Sequence, residues 1–525
     1  MQQKKLTLIL IKIYSRIKIF LYIFLLSSSA LIVTGYYGYR GVFPIDSFLI
    51  YDAGYKILNG YIPFRDYWSI TGPILDFLQF IFFKIFGTNW FSYILHSASI
   101  NLLLTLTLFY FFFSLGLKNI YCLIYSISCS ILAYPSVGTP FMDHHAVIFS
   151  LISLMFLIIG LKKKNNLLLF LFPIFLSISF FSKQIPSVYL TIIFFIFILI
   201  FLKISSFKNI DLIKNIIGGI FFSISIFFLI LYLNKIPFEN FLDQYLFYPI
   251  EIGNERSSQL KFNFNNTIFQ FKFIYFSLIP LIFILYKLMN KRRSLEEKKD
   301  LSILLLIFSS TLIFIYAQIL TKNQILIFFL IPFCLGISHF YSNKYYKKDF
   351  INFAIIFILI VSTLKFHLRF NENKKFMELS DADMNLAINA ITLDKSLKGL
   401  KWITPNYPKD PNSELKKLID IKEIIMNDKS NLIIVTDYQI LPSITKIKNI
   451  APNKWFDNLS VPKQESNYFY VYKNFFLKNL KKQKISTIYT FDGKEVFIKD
   501  FLEKGCYEKE YIKKYLIKLS VQNCF

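Results

Sequence analysis

Apolar residues occur along this chain in long runs separated by short polar segments, and the runs stop near residue 367. Each run is roughly 20 residues long, the length of a helix that crosses the hydrocarbon core of a bilayer. A hydropathy window of about 19 residues predicts about eleven such spans, at 18–38, 90–115, 119–135, 145–161, 166–182, 186–203, 214–234, 268–287, 301–320, 324–341 and 350–367. The pattern therefore predicts an α-helical polytopic membrane protein.

After Phe370 the composition changes to Lys, Asp, Asn and Pro with short apolar stretches. We predict a membrane domain over 1–369 and a soluble domain over 370–525, which is an ordinary domain size. Within the second domain, helix-like periodicity at 376–398, 412–427 and 470–482 alternates with β-like runs at 400–404, 431–436 and 485–490. Such alternation predicts a small α/β layer.

The distribution of cations predicts the orientation of the chain. With the N-terminus inside, the inner segments carry 21 Lys and Arg against 9 in the longer outer loops. The positive-inside rule therefore favours this orientation in the cytoplasmic membrane, and an odd number of spans puts the C-terminal domain outside. The net charge of +26 is interleaved between apolar spans, so it indicates topology and not a nucleic-acid-binding face.

A polar loop follows the first span and carries Asp46, Asp52, Arg65 and Asp66. Because the preceding chain has just crossed the bilayer, we expect these charges at the membrane surface, where a lipid-linked substrate presents its head group. Residues 73–86 are amphipathic but too short and too polar to cross, so we expect them to lie at the interface.

From Asp46 the loop has the spacing D-x5-D-A-G-Y-x3-N-G-x-x-P-F-R-D-Y-x4-G-P. This spacing resembles the first extracytoplasmic loop of the polyprenyl-phosphate-sugar glycosyltransferases of family 39. Relatives there include the lipid A aminoarabinose transferases and the protein O-mannosyltransferases. The match covers 46–87, recurs in short pieces near Asp143 and Lys183, and fades after Phe366. The resemblance implies a GT-C fold and inverting transfer of a sugar from a polyprenyl-phosphate donor to an acceptor.

In that family an Asp early in the loop is the catalytic carboxylate, and Asp46 stands at that place. Many relatives carry two adjacent acids here, whereas this chain has Asp46 followed by Ser47. The resemblance therefore implies Asp46 as the base, alone or together with Asp52, and leaves open that Asp52 replaces it. The alternative is that these acids only solvate the loop.

Two further pieces resemble the same family. Phe141-Met142-Asp143 is similar to a segment whose acid assists donor or acceptor binding, although Asp143 could also cap a helix that starts at His144. Lys183 stands where the family has a lysine near the lipid phosphate, which an ammonium would stabilise as it departs; the alternative is an interfacial anchor.

Arg65, Asp66 and Arg256 are further charged residues predicted on the outer face. We expect them to contribute to substrate or phosphate binding, and arginine offers the better bidentate geometry for phosphate.

The sequence predicts no cofactor. His144 and His145 follow Asp143, but adjacent side chains on a helix diverge by about 100° and rarely bind one ion together. The chain has no HExxH, no Cys pair at zinc spacing and no Gly-rich phosphate loop. A transferase that uses a lipid-pyrophosphate donor is an open alternative, and for that enzyme we would expect a divalent metal ion on the acids. A transporter or flippase for lipid-linked glycans is the other alternative, and it predicts charges inside spans and internal repeats.

Five cysteines fall into two groups. Cys122, Cys129 and Cys334 lie in predicted spans, while Cys506 and Cys524 lie in the polar tail. In an oxidising compartment outside the membrane, two lone thiols of one domain usually pair. We therefore predict a disulfide between Cys506 and Cys524.

Overall fold

The structure is a computed structural model that describes residues 2–133, 138–205, 210–260, 262–289, 293–321, 327–374, 379–502 and 505–522, with side chains described from residue 18 and not for 210 and 211. Its helices are α1 Gln2–Gly38, α2 Pro44–Ser47, α3 Leu49–Leu58, α4 Ile74–Phe86, α5 Trp90–Leu115, α6 Asn119–Leu132, α7 Met142–Lys163, α8 Asn166–Phe180, α9 Ser187–Ile204, α10 Ile210–Leu233, α11 Phe238–Phe241, α12 Tyr248–Ser258, α13 Lys272–Met289, α14 Leu295–Thr321, α15 Leu330–Tyr345, α16 Asp349–Phe366, α17 Pro411–Asn427, α18 Leu441–Ile444 and α19 Phe469–Lys482. Its strands are β1 Ile388–Asn389, β2 Lys401–Trp402, β3 Leu432–Val435, β4 Thr487–Phe491, β5 Tyr507–Lys513 and β6 Leu516–Val521. Three π-helical segments, Leu242–Phe247, Asn265–Phe269 and His367–Glu372, join α11 to α12, precede α13 and continue α16.

Among the described residues, eight helices are long and apolar enough to cross a bilayer: α1 from Lys18, α5, α7, α9, α10 from Leu212, α13, α14 and α16 with its extension to Glu372. This confirms a multi-pass membrane protein. The other three predicted spans correspond to shorter helices, α6 with 14 residues, α8 with 15 and α15 with 16. At about 1.5 Å per residue, helices of this length fall short of the roughly 30 Å hydrocarbon core.

The helix α7 lies at the centre of the bundle, because its entire apolar window is buried. It packs mainly on α8 and α5. Helix α10 is apolar all round, as α7 is. Unlike α7, it exposes most of its surface, including Phe221 and Tyr232. A helix that is apolar all round is stable in a protein core or in lipid, so the outward face of α10 is a lipid-facing surface.

The two ends of the bundle differ in chemistry. At one end Asp300 accepts hydrogen bonds from Lys162 and Lys344 at 3.1 and 2.6 Å, which ties together loops predicted to face the cytoplasm. At the other end the first loop meets the loop after α8, where the Gly72 N–H donates to the Ser182 carbonyl at 3.1 Å. This grouping agrees with the alternation of loops that the sequence predicts.

The C-terminal region is a small α/β unit, as predicted. Its sheet has the order β3-β4-β6-β5, in which β3 and β4 are parallel and the other pairs antiparallel. A parallel pair needs a long crossover, and the segment containing α18 and α19 supplies it. The predicted helices at 412–427 and 470–482 and the strands at 431–436 and 485–490 are confirmed; the run at 400–404 forms only the two residues of β2.

The helix predicted at 376–398 is wrong over its described part, which forms short 3₁₀ turns and β1. Asp383, Asn389 and Asp394 each accept a hydrogen bond from the backbone N–H two residues ahead. Short polar side chains that bond to the local backbone compete with helix formation. The β5–β6 hairpin was not predicted, because β5 is a largely exposed edge strand in which four of seven residues are Lys or Glu, a composition that protects such edges.

The first loop and the C-terminal region share one core. Residues 39–42 lie beside β2, with the Gly41 N–H donating to the Lys401 carbonyl at 2.9 Å. Phe48 stacks on Trp402 with ring centroids 5.7 Å apart. The loop is therefore held in place by the soluble domain as well as by the membrane helices.

Candidate active site

Asp46 lies in the four-residue helix α2, directly after the segment that pairs with β2. Pro44 occupies a first-turn position, where its missing N–H leaves no bond unmade. The Phe43 N–H donates to Ser47 Oγ at 2.9 Å, and the Tyr93 hydroxyl donates to the Ser47 carbonyl at 2.7 Å. These bonds tie the short helix that carries the half-buried Asp46 to α5.

Asp143 forms an ion pair with Lys183. The two groups approach to 2.5 Å between Lys183 Nζ and Asp143 Oδ1, and both side chains are largely enclosed. The helix α7 begins at Met142 with Phe141 as its cap residue, so the alternative in which Asp143 caps a helix starting at His144 is wrong. Because the Lys183 ammonium lies on a buried carboxylate, the side chain does not extend to water as an interfacial anchor does.

The backbone beside Lys183 is held by the first loop at a point that requires glycine. The Ile74 N–H donates to the Phe181 carbonyl at 3.2 Å, and the Gly72 backbone lies against the same residue. A Cβ atom on Gly72 would stand 1.7 Å from the Phe181 carbonyl oxygen. The close approach of the two loops therefore depends on a residue without a side chain.

Lys183 lies in the electrostatic field of three other charged residues. Burial lowers the pKa of Lys183 below its ordinary value and Arg256 adds to this effect, whereas Asp143 and Asp46 oppose it. Arg256 is half-buried in the last turn of α12. Asp143 thus contacts Lys183 directly, and Asp46 and Arg256 lie near enough for their charges to influence the Lys183 ammonium.

Asp52 belongs to a separate buried network. Its carboxylate pairs with Lys56 at 2.8 Å, one helical turn along α3. Lys56 also donates to the Asn453 carbonyl at 2.8 Å, which joins α3 to the soluble domain. Burial raises the pKa of Asp52, and the Lys56 charge opposes that rise. The geometry thus places Asp52 in a buried ion pair that joins α3 to the C-terminal region.

The same network contains an ion pair that the sequence did not indicate. Lys454 Nζ lies 2.5 Å from Asp76 Oδ1 with both side chains buried, and the Tyr67 hydroxyl donates to Asp76 Oδ2 at 2.9 Å. Helix α4, predicted to lie at the interface, therefore turns its acid inward to the soluble domain. These two residues are 378 positions apart, and no local pattern connects them.

Arg65 and Asp66 also have partners within the protein. The Arg65 guanidinium lies 2.6 Å from Asp66 and donates to the Asn234 carbonyl at 2.8 Å. Lys482 lies 2.7 Å from the other Asp66 oxygen. Burial alone would raise the pKa of Asp66, but hydrogen bonds from Arg65 and Lys482 bring it below its ordinary value. This trio joins the first loop to α19.

The two histidines after Asp143 bond to the backbone and not to each other. His144 Nε2 lies 3.1 Å from the Ala133 carbonyl, and His145 Nδ1 lies 3.0 Å from the Phe141 carbonyl. Across the described ranges, no group of three or more His, Cys, Asp or Glu side chains is arranged to hold a metal ion.

The cysteines divide as the sequence suggests. Cys122, Cys129 and Cys334 are buried free thiols, and Cys506 is disulfide-bonded. Cys524 lies outside the described residues, so its pairing with Cys506 stays a prediction.

No protein-family model and no curated protein matches the chain. Among solved structures, the archaeal oligosaccharyltransferase AglB from Archaeoglobus fulgidus, in complex with an inhibitory peptide and a dolichol-phosphate, is similar at TM-score 0.43 and 11% identity over 91% of this chain and 70% of that chain. ArnT from Cupriavidus metallidurans, bound to undecaprenyl phosphate, is similar at TM-score 0.49 and 9% identity over 95% of this chain and 98% of that chain. Both likenesses are distant, and the chemistry of this chain has to come from its own residues.

Proposed function

We propose that the chain is an inverting membrane glycosyltransferase that moves a sugar from a polyprenyl-phosphate donor to an acceptor on the outer face of the cytoplasmic membrane. The observation that supports this proposal is the convergence of Asp46, Asp143, Lys183 and Arg256 at one end of the helix bundle. A lipid-linked donor presents its phosphate and sugar at this depth, and the cluster combines carboxylates with cations.

In this reaction the acceptor hydroxyl gives its proton to the Asp46 carboxylate as its oxygen bonds to the anomeric carbon of the sugar. The bond between that carbon and the phosphate oxygen breaks, and its electron pair leaves with the polyprenyl phosphate. Attack opposite the leaving group inverts the configuration. General-base assistance of this kind supplies roughly 10² to 10⁴ in rate.

Lys183 and Arg256 stabilise the negative charge that develops on the departing phosphate. Preorganised cations in a water-poor site act strongly on such charge. Asp143 is a positioning residue in this scheme, because its carboxylate holds the Lys183 ammonium in place and favours its protonated form. Asp52, Arg65 and Asp66 maintain the loop that carries Asp46 and are not assigned to the chemistry.

The lipid-linked sugars and envelope glycans of a deletion strain test this proposal. We expect a polyprenyl-phosphate-linked sugar to accumulate and one sugar linkage to disappear from the envelope. Accumulation of a transported solute or lipid-linked glycan with every sugar linkage retained would contradict it and favour a transporter. Transfer that is lost in EDTA and restored by Mg²⁺ or Mn²⁺ would favour a lipid-pyrophosphate donor.

A further inference from the structure

An apolar groove with a volume of about 300 Å³ lies between α13 and α16. Phe273, Phe276 and Ile279 form its wall on α13, and Phe357 and Val361 form its wall on α16. Phe276, Phe357 and Val361 are exposed on the outside of the bundle, so the groove opens toward the surrounding lipid. None of the charged residues assigned to the catalytic chemistry lines it.

Three cations stand at one end of this groove. Lys272 is the first residue of α13, and Lys365 and Arg369 lie at the end of α16 and in its extension. Lys365 Nζ is 4.9 Å from the ring centroid of Phe273, which lines the groove. Lys272 and Arg369 lie near enough to Lys365 for their positive charges to repel its ammonium group.

No acid of the described chain forms an ion pair with these cations. Glu372, three residues beyond Arg369, pairs instead with Arg40 at 3.4 Å and with His367 at 3.3 Å. Like charges near hydrocarbon repel more strongly than in water, so the cluster favours an anion among its members.

We propose that this groove binds an anionic phospholipid of the outer leaflet, with the phosphate on Lys272, Lys365 and Arg369 and an acyl chain along the apolar walls. From Lys272 to Ile279, helix α13 rises by roughly 10 Å at 1.5 Å per residue, which accommodates the upper part of an acyl chain. Basic clusters beside membrane helices attract anionic head groups in this manner.

The leaflet follows from the contacts of α16 together with the orientation that the sequence predicts for the chain. Glu372, at the end of its extension, accepts a hydrogen bond from the Tyr36 hydroxyl at 2.7 Å, and Tyr36 lies in the last turns of α1, directly before the first loop. The cations therefore lie at the same end of the bundle as Asp46. A bilayer phospholipid is the occupant because Phe276, Phe357 and Val361 expose the groove to the surrounding lipid and the groove lies on a different pair of helices from the loop that carries Lys183.

Lipid binding to the purified full-length chain tests this proposal. Native mass spectrometry counts the bound lipid molecules, and phosphatidylglycerol is compared with phosphatidylcholine of the same acyl chains. The variant with Lys272→Gln, Lys365→Gln and Arg369→Gln should weaken phosphatidylglycerol binding on the order of 100-fold and leave phosphatidylcholine binding unchanged. Val361→Trp, which fills the groove, should weaken the binding of both lipids.

Lys84→Gln is the matched control for Lys365→Gln, because Lys84 is also an exposed lysine over a phenylalanine ring, 5.7 Å from the centroid of Phe80. It should leave lipid binding unchanged. Wild-type phosphatidylglycerol binding in a folded triple variant would overturn the proposal. So would a groove that prefers polyprenyl phosphate to phosphatidylglycerol, because it would then be a second donor site. Lys365 and Arg369 are exposed and Lys272 is half-buried, so an unfolded Val361→Trp variant leaves the charge comparison decisive.

Discussion

Lys183 Nζ lies 2.5 Å from Asp143 Oδ1, although the two residues are 40 positions apart, Asp143 at the start of α7 and Lys183 after the end of α8. The pair brings an ammonium to the end of the bundle where the first loop lies and holds it there with a buried carboxylate. Asp46 and Arg256 contribute to the same field. This relationship accounts for a lysine in a short turn between two apolar helices.

Asp143→Asn should move the alkaline limb of the pH profile to lower pH. Burial lowers the pKa of Lys183 and the Asp143 charge opposes that effect, so removing the charge lowers this pKa further. Activity that needs the protonated ammonium then declines at a lower pH. The measurement is the transfer rate as a function of pH for both proteins. An unchanged alkaline limb, or one moved to higher pH, would show that Asp143 does not act through Lys183.

Lys183→Gln should impair use of the donor far more than Lys183→Arg, because glutamine removes the charge and arginine retains it. The transfer rate measured against donor concentration in membranes checks this expectation, with the amount of folded protein determined in parallel. An equal and mild effect of both changes, confined to protein yield, would indicate an anchoring role.

The buried pair of Asp76 and Lys454 should contribute strongly to stability. Lys454→Met leaves the Asp76 carboxylate buried without its partner, a change that typically costs about 3 to 5 kcal/mol. Adding Asp76→Asn removes that charge while keeping an acceptor for the Tyr67 hydroxyl, so most of the loss should be recovered. Denaturant unfolding of the purified chain measures both effects.

The control for this pair is Lys463→Met. Lys463 pairs with Glu255 at 3.1 Å, but both side chains are about half exposed, and exposed pairs contribute little. A double variant no more stable than Lys454→Met would show that the cost comes from lost packing and not from the unpaired charge.

Cys506 should be linked to Cys524. Cys506 is disulfide-bonded in the structure, and the chain-entropy model assigns a bond across a loop of this size roughly 3 kcal/mol. Non-reducing peptide mapping by mass spectrometry should find one cross-linked peptide containing both residues. Free thiols at both positions would remove the bond and weaken the assignment of this domain to an oxidising compartment.

The sequence predicts most of the membrane half because the length of an apolar run is itself the signal for a span. It also indicates Asp46, Asp143 and Lys183 through their local motifs. The sequence even contains the reason to treat Asp52 differently, because Lys56 stands four residues away on the same helix and can pair with it.

Other features depend on contacts that no local pattern encodes. The Asp76–Lys454 pair forms only when the soluble domain docks on the first loop, and the approach of Gly72 to Phe181 depends on the packing of α8. The helix predicted at 376–398 failed because Asp383, Asn389 and Asp394 bond to their own backbone. These three residues have side chains that favour turns, a local signal that helical periodicity obscured.

The role of Asp46 as the general base can be examined in the deletion strain complemented with Asp46→Asn or Asp52→Asn. The measurement is the polyprenyl-phosphate-linked sugar pool together with the envelope sugar linkage, normalised to folded protein. Asp46→Asn should behave like the deletion, because the amide keeps the shape of the side chain but cannot take the proton. Asp52→Asn should lower the amount of folded protein, since it leaves Lys56 without its partner, yet restore transfer per molecule. Near-normal transfer by Asp46→Asn together with its loss in Asp52→Asn would contradict the account and assign the base to Asp52.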